Sequence, residues 1–366
     1  MQPIVIAAGG TGGHFFPAEA LAAALIARGR RIVLMTDARS GALRSAVFEG
    51  RENFVLSGAG IAGRGALRGA RAIASLAAGI VQARGILSRL DASAVVGFGG
   101  YPCVAPVLAT RLLRRRPVVI LHDQNAVLGR ANRFLARSAD IIALSFADTQ
   151  RVPESAQTVV TGNPVRPAIA ALAAERYDAS SDEFRLVVLG GSLGARVFSD
   201  IVPPALAGLP DALRTRLRVV QQCRAEDLDR VTAAYAQAGI AADLAPFFAG
   251  IEEHLARAHL VIARAGASTV AELAVAGRPS ILVPLPGAID DHQSANAAAL
   301  ANAGGAWVMA QPDFTPNMLR ARLENLLTDA AGLQIAAAAA ASVANADAAQ
   351  RLADTVEALI PQQVRP

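Results

Sequence analysis

Twice in this chain a short run rich in β-branched residues ends in a cluster of glycines and opens a helical pattern. The first is PIVIAA, leading into Gly9-Gly10-Thr11-Gly12-Gly13. The second, about 180 residues later, is RLVVL, leading into Gly190-Gly191-Ser192-Leu193-Gly194. A strand, a tight glycine turn and a helix are the opening of a parallel α/β unit, because parallel neighbours need a crossover and glycine admits the sharp turn. Other short apolar runs alternate with helical patterns. Strands are expected over 4–7, 31–35, 94–96, 118–121 and 141–144, then over 186–189, 217–221, 260–263, 280–283 and 306–309. The expected fold class is therefore α/β, with two doubly wound parallel-sheet domains. Between the sets lies Thr161-Gly162-Asn163-Pro164-Val165-Arg166-Pro167, where two prolines near a glycine mark a turn or hinge. Domains are expected over 1–162 and 166–335. After Asp329 a long Ala-rich helical pattern runs to about Leu359 with no evident place in the second sheet, and its part near 340–360 is expected to pack back on the first domain.

Composition narrows the class. Hydrophobic residues make up 53% and charged residues 18% of 366, which excludes disorder. No apolar run approaches the ~20 residues that cross a bilayer, so no span is expected. The start MQPIVIAAGG lacks a basic segment and runs directly into a strand pattern, so the expectation is cytoplasmic residence without a signal peptide. Cys103 and Cys223 alone offer neither a disulfide framework nor a metal pair. The chain has no lysine, and its charge is divided unevenly. Residues 1–160 carry 19 Arg against 9 acids, and residues 161–366 carry 16 Arg against 21 acids. Residues 64–90 combine Arg64, Arg68, Arg71, Arg84 and Arg89 with Ile73, Leu76, Ile80 and Val81, and Arg114-Arg115-Arg116 adds a second basic cluster. A basic amphipathic helix suits either plain solvation or an anionic membrane surface, where each cation contributes ~1 kcal/mol. No aromatic interleaving or binding motif accompanies the charge, so nucleic acid is not expected as a partner.

Chemistry gathers at the expected carboxyl ends of the strands, where open α/β sheets bind ligands. The first glycine loop precedes a helix expected to begin near Pro17, whose N-terminal dipole suits a phosphate or diphosphate. The spacing of this loop is not GxGxxG, because position 15 is Phe, and it is not a Walker sequence either. His14 follows the glycines and can act as a general base or donate to an anion. Gly97-Phe98-Gly99-Gly100-Tyr101-Pro102 and His122-Asp123-Gln124-Asn125 follow later strands and open on the same edge, with Asp123 and Asn125 as candidate sugar ligands. In the second half Arg264-Ala265-Gly266-Ala267-Ser268-Thr269 opens a helix containing Glu272, a pattern that fits a phosphate and a ribose. In Asp290-Asp291-His292-Gln293-Ser294-Ala295-Asn296 the helical spacing puts Gln293 and Asn296 on one face. Asp227-Leu228-Asp229 has the letters of a DxD motif but no strand before it, and no metal is expected.

In this order, GGTGGHFFPA, GFGGY, HDQN, GNPVR, GGSLGA, RAGASTVAEL and DDHQSANA resemble the MurG family of UDP-N-acetylglucosamine:lipid I glycosyltransferases over essentially the whole chain. The resemblance implies the GT-B fold of two Rossmann-like domains facing across a cleft. It also implies an inverting transfer of GlcNAc from UDP-GlcNAc to the MurNAc 4-hydroxyl of lipid I, giving lipid II for peptidoglycan, with no cofactor or essential metal. Peripheral attachment to the cytoplasmic face of the inner membrane is implied too. Carried over by position, His14 is the proposed base and Asp123 a further catalytic candidate. Thr11, Gly12, Gly13, Asn125, Arg166, Ser192, Phe248, Ala267, Ser268, Thr269, Val270, Ala271, Glu272, Gln293 and Asn296 are donor positions. Gly10, Gly12, Gly13, Gly99, Gly100 and Tyr101 are implied at the acceptor diphosphate. The sequence departs from the family at Asp123, where Glu is usual, and at Leu193, Ala265 and His292. A UDP-GlcNAc 2-epimerase shares this architecture, and a non-catalytic nucleotide-sugar-binding protein is the other alternative.

Overall fold

The computed structural model describes residues 2–9, 12–37, 45–57, 66–179, 182–191 and 194–361. The chain divides into two compact units, Met1–Arg166 with Asp347–Pro366, and Pro167–Ala346. In the first unit β1 (Ile4–Ala7), β2 (Ile32–Thr36), β3 (Asn53–Val55), β4 (Ala94–Gly97), β5 (Val118–Asp123), β6 (Ile141–Leu144) and β7 (Thr158–Val160) form a parallel sheet of order β3-β2-β1-β4-β5-β6-β7. Register places Ile4 beside both Ile32 and Ala94. Side chains alternate across this sheet with period two. Ile4 and Ile6 join Leu21 and Leu25 on one face, while Val5 and Ala7 join Leu87 and Val107 on the other. Both faces are covered, which is why the inner strands read as continuous apolar runs.

In the second unit β8 (Phe184–Leu189), β9 (Leu217–Gln222), β10 (Ala241–Ala245), β11 (Leu260–Ala263), β12 (Ser280–Leu282) and β13 (Ala306–Val308) form a parallel sheet of order β10-β9-β8-β11-β12-β13. Leu186 and Val188 pack there with Phe198, Val202, Leu319 and Leu323. In each sheet the strand order reverses beside the unit's first strand, between β1 and β4 and between β8 and β11. These are the topological switch points where ligands of open α/β sheets bind.

Three differences from the sequence expectations have physical causes. Strands β3, β7 and β10 were not anticipated. Each is an edge strand with one neighbour and largely exposed residues, so it lacks the two-sided burial that marks the inner strands. The first helix spans Gly12–Ala27 and starts five residues before Pro17, so His14 lies in its first turn rather than ahead of it. The Ala-rich tail is two helices, not one. Helix Ala330–Ser342, capped by Asp329 accepting from the Gly332 amide at 2.8 Å, belongs to the second unit. Helix Ala348–Leu359 belongs to the first, where Leu352 and Val356 enter the core beside the Gly12–Ala27 helix. Arg28 binds Asp354 at 2.6 Å and Glu357 at 2.8 Å there, and Arg30 binds Glu357 at 2.6 Å. The unit boundary falls after Arg166, and the second unit extends to Ala346. Among the described residues no helix is long and apolar enough to cross a membrane.

Candidate active site

In the first unit the loops after β1, β4 and β5 meet around His14. Its imidazole lies against the second glycine turn. A Cβ built on Gly99 would sit 3.6 Å from its Cε1, and one built on Gly100 would sit 3.5 Å from its Nε2. Both glycines have positive φ, 78° and 68°, a conformation that side chains other than glycine's rarely take. His14 Nδ1 is 2.8 Å from Gln124 Oε1. Gln124 Nε2 in turn lies 3.1 Å from both the Phe98 carbonyl and His122 Nδ1. His122 Nε2 is 3.1 Å from the Gly162 carbonyl. Complete burial pushes the His122 imidazole down to about 4, so the ring is neutral near pH 7.

Asp123 makes no hydrogen bond to His14, Gln124 or the His122 ring among the described residues. Its Oδ1 accepts from the Asn125 amide at 3.0 Å, and its Oδ2 from the Gly129 amide at 2.7 Å and Asn132 Nδ2 at 2.9 Å. Burial pushes its carboxyl upward, against those three donors. The side chain thus holds the 124–129 loop to helix Arg130–Leu135. Tyr101, half-buried, starts the short turn Tyr101–Cys103, and its hydroxyl has no hydrogen-bond partner among the described residues. Arg166 holds its guanidinium 5.0 Å from the Phe16 ring centroid, at the same end of the Gly12–Ala27 helix as Gly12 and Gly13. Asn125 is half-buried one residue beyond Gln124. Gly10 and Thr11 lie outside the described residues, as do Arg64 and the side chain of Arg68.

The second unit builds its strand-end loops differently. Gly190 has no room for a side chain, since a Cβ there would sit 2.3 Å from the Ala195 nitrogen. Gln222 Oε1 accepts from the Gly190 amide at 3.0 Å, and its Nε2 donates to the Gly191 carbonyl at 3.0 Å and the Pro246 carbonyl at 3.1 Å. One amide therefore ties the glycine loop to the segment before Phe248, whose ring meets His254 edge-on at 5.1 Å. Ser192 and Leu193 lie outside the described residues. Helix Ala267–Val275 starts directly after β11 with Gly266 as its extended N-cap. Ala267 and Val270 are buried, while Ser268, Thr269, Ala271 and Glu272 are half-buried along its first two turns. In helix His292–Asn302, Gln293 Oε1 accepts from the Leu285 amide at 3.0 Å and the fully buried Asn296 donates to the Ala265 carbonyl at 3.2 Å. Both side chains of the i, i+3 pair thus brace loops at one sheet edge. Asp227 is paired with Arg230 at 2.8 Å at the start of a helix, and among the described residues no group of three His, Cys, Asp or Glu gathers to hold a metal ion.

Two organising side chains, Gln222 and Asn132, were missed by sequence reasoning, and Gln124 was expected at the sheet edge but given no role. Gln222 carried a weak signal, being a polar residue that ends a strand pattern. Asn132 carried none.

Two family models cover the chain. Residues 4–144 match the glycosyltransferase family 28 N-terminal domain, and residues 185–352 match the glycosyltransferase family 28 C-terminal domain. A relative from Granulibacter bethesdensis is 63% identical over 97% of this chain and 93% of its own. One from Acidiphilium cryptum is 55% identical over 100% of this chain and 99% of its own. Each is named UDP-N-acetylglucosamine--N-acetylmuramyl-(pentapeptide) pyrophosphoryl-undecaprenol N-acetylglucosamine transferase. The crystal structure of MurG from Acinetobacter baumannii superposes with a TM-score of 0.79 at 30% identity, covering 98% of this chain and all of that one. The two parallel-sheet units are those of the GT-B fold. At such identity over nearly full length, the chain belongs to the MurG family of family 28 glycosyltransferases.

Proposed function

We propose that the chain transfers GlcNAc from UDP-GlcNAc to the MurNAc 4-hydroxyl of lipid I, giving lipid II for peptidoglycan, with inversion at the anomeric carbon. Family membership supports the substrates. The observation that carries the chemistry is the imidazole of His14 seated on the Gly99–Gly100 turn at the first sheet's switch point. An unhindered ring nitrogen at a glycine-lined helix mouth can take the hydroxyl proton as the oxygen attacks the anomeric carbon. The lipid diphosphate is read as lying on Gly10, Gly12, Gly13, Gly99, Gly100 and Tyr101; at Gly12, Gly13, Gly99 and Gly100 backbone amides can approach it without side chains of their own in the way. Glycine is needed there for reach as much as for shape.

The donor is read as held by the second unit. The start of helix Ala267–Val275 and the loop with Ser192 meet the UDP diphosphate, and their dipoles stabilise the charge that develops on the leaving group. Glu272 takes the ribose hydroxyls, and the main chain at Phe248 takes the uracil. Gln293, with one amide end anchored to backbone, is read as reaching the GlcNAc, and Asn296, expected there from the sequence, has no exposed surface and holds the Ala265 carbonyl behind it. Asn125, Arg166 and the loop of Thr11, Gly12 and Gly13 complete the donor contacts. Asp123 is assigned a holding role rather than a chemical one, because three donors of the adjoining loop and helix hold its two oxygens.

The basic face of helix Ala66–Leu90 is read as lying on the anionic cytoplasmic surface of the inner membrane. Arg71, Ile73, Val81 and Arg84 are exposed along it, and Leu112 lies beside Arg84, which donates to the Leu112 carbonyl at 3.2 Å. The test is label transfer from UDP-[14C]GlcNAc to a short-chain lipid I analogue, with EDTA present and with an acceptor-free control. Acceptor-dependent product with EDTA present supports the transferase. Formation of UDP-ManNAc or free UDP without acceptor moves the assignment to an epimerase or hydrolase, and no turnover favours a binding protein.

A further inference from the structure

We propose that Gln124 is a positioning residue that fixes the tautomer of His14, keeping hydrogen on Nδ1 and leaving Nε2 as the proton acceptor, and that His122 fixes Gln124. The inference rests on the reading of His14 as base and extends it to two residues that do not touch substrate.

The argument starts at the far end of the chain of contacts. A backbone carbonyl only accepts, so the Gly162 oxygen at 3.1 Å requires hydrogen on His122 Nε2. A neutral imidazole carries one ring hydrogen, and the ring is buried and neutral. His122 Nδ1 is therefore a lone pair. The Gln124 group facing it at 3.1 Å must then be the NH2, and the same nitrogen has the Phe98 carbonyl at 3.1 Å for its second hydrogen. Both amide hydrogens are consumed. Gln124 Oε1 is left facing His14 at 2.8 Å, and an amide oxygen only accepts, so His14 Nδ1 carries hydrogen. Turning the Gln124 amide over would set its oxygen against the Phe98 carbonyl and would turn a lone pair of His122 Nε2 against the Gly162 carbonyl, leaving the Thr161 hydroxyl at 3.1 Å as the donor there. Two histidines thus sit in opposite tautomers, coupled through one amide.

The free nitrogen of His14 is the useful one. Nε2 and Cδ2 are the ring atoms on the Gly100 side, and the Gly100 position leaves that edge without a side chain. An amide does this job without charge. A carboxylate in its place would also orient the ring, but would put a negative group beside the diphosphates the site is read as holding. Asp123, the adjacent carboxylate, is turned onto the loop by the alternation of residues along the strand.

The test reads the rings directly. With 15N-labelled histidine the chain shows five residues, His14, His122, His254, His259 and His292. The signals of His14 are assigned by their loss in His14→Gln and those of His122 by their loss in His122→Asn. Above the titration of the rings, His14 is expected to show a pyrrole-type Nδ1 and a pyridine-type Nε2, and His122 the reverse. In Gln124→Leu the His14 signals should move toward hydrogen on Nε2, and kcat should fall about 10- to 100-fold with both KM values within about threefold. Gln124→Glu should keep the His14 tautomer, because its oxygen still accepts from Nδ1. Hydrogen on His14 Nε2 in the unaltered protein overturns the proposal, as does a His14 tautomer that Gln124→Leu leaves unchanged. If Gln124→Leu does not fold, the unaltered protein and Gln124→Glu still decide it. A protein that shows these tautomers but transfers no sugar would refute the transferase reading alone.

Discussion

The two units share a sheet plan and differ in what furnishes the carboxyl edge. Around β1, β4 and β5 the polar side chains are bound to one another as well as to backbone: His14 to Gln124, Gln124 to His122, and Asn132 to Asp123. Around β8, β11 and β12 they are side chains bound to backbone: Gln222 to Gly190, Gly191 and Pro246, Asn296 to Ala265, and Gln293 to Leu285. Arg264 combines both patterns, donating to the Val283 and Pro284 carbonyls and, at 2.6 Å, to Gln311 Oε1. A site that moves a proton needs titratable groups whose orientation is fixed by other side chains. A site that holds a diphosphate needs helix ends and loops held still. The contrast teaches that one architecture is adapted to two tasks by the choice of anchoring partner.

Four outcomes would sharpen or break this comparison. The largest belongs to His14→Ala, expected to lower kcat by about 10²- to 10⁴-fold while the melting temperature stays within about 2 °C. A loss confined to acceptor KM in steady-state transfer would leave only a binding role. Next is acid sensitivity of the first unit. His122 is held near 4 in the fold against about 6.5 unfolded, so the unfolded chain binds more protons between those values. Stability is full above about pH 6.5 and is lost as pH falls toward 4, by roughly 3 kcal/mol. Urea unfolding followed across that window should show the slope, and His122→Gln should flatten it. Third, Glu272→Gln should raise the KM for UDP-GlcNAc about tenfold with the acceptor KM unchanged, in keeping with a lost bond to a charged group. An equal rise for both substrates would break the division of labour. Smallest is the membrane term. Arg71→Glu should weaken binding to anionic liposomes about fivefold at low salt, whereas Arg322→Glu, exposed in the second unit, should change it less than twofold. Equal effects in a sedimentation assay would mean a diffuse charge effect with no defined face.

Much of the fold was legible because central strands are buried on both faces and so read as apolar runs. Val5 and Ala7 could be placed from the sequence. Val55, 58% exposed on an edge strand, could not. The break between the last two helices was hidden for another reason, since the alanine run ahead of 343–347 gives no amphipathic contrast to interrupt. At the site, the glycine turns and the HDQN stretch were legible as loops on one edge, because parallel strands place their ends together. The role of Gln124 was half legible. Strand alternation already puts residues 122 and 124 on one side and Asp123 on the other, yet the partner is 110 residues away in sequence and only the fold supplies it.

The helix Ala348–Leu359 sets an order of events during synthesis. Leu352 and Val356 complete the layer over Leu21 and Leu25, and the Arg28 to Glu357 ion pair spans 329 residues. At roughly 5–20 residues per second, the first unit waits tens of seconds on the ribosome for its last helix. The second unit, contiguous over 167–346, is complete before then. The half that begins first finishes last, and a nascent chain halted after Arg166 would present an open apolar face to whatever meets it.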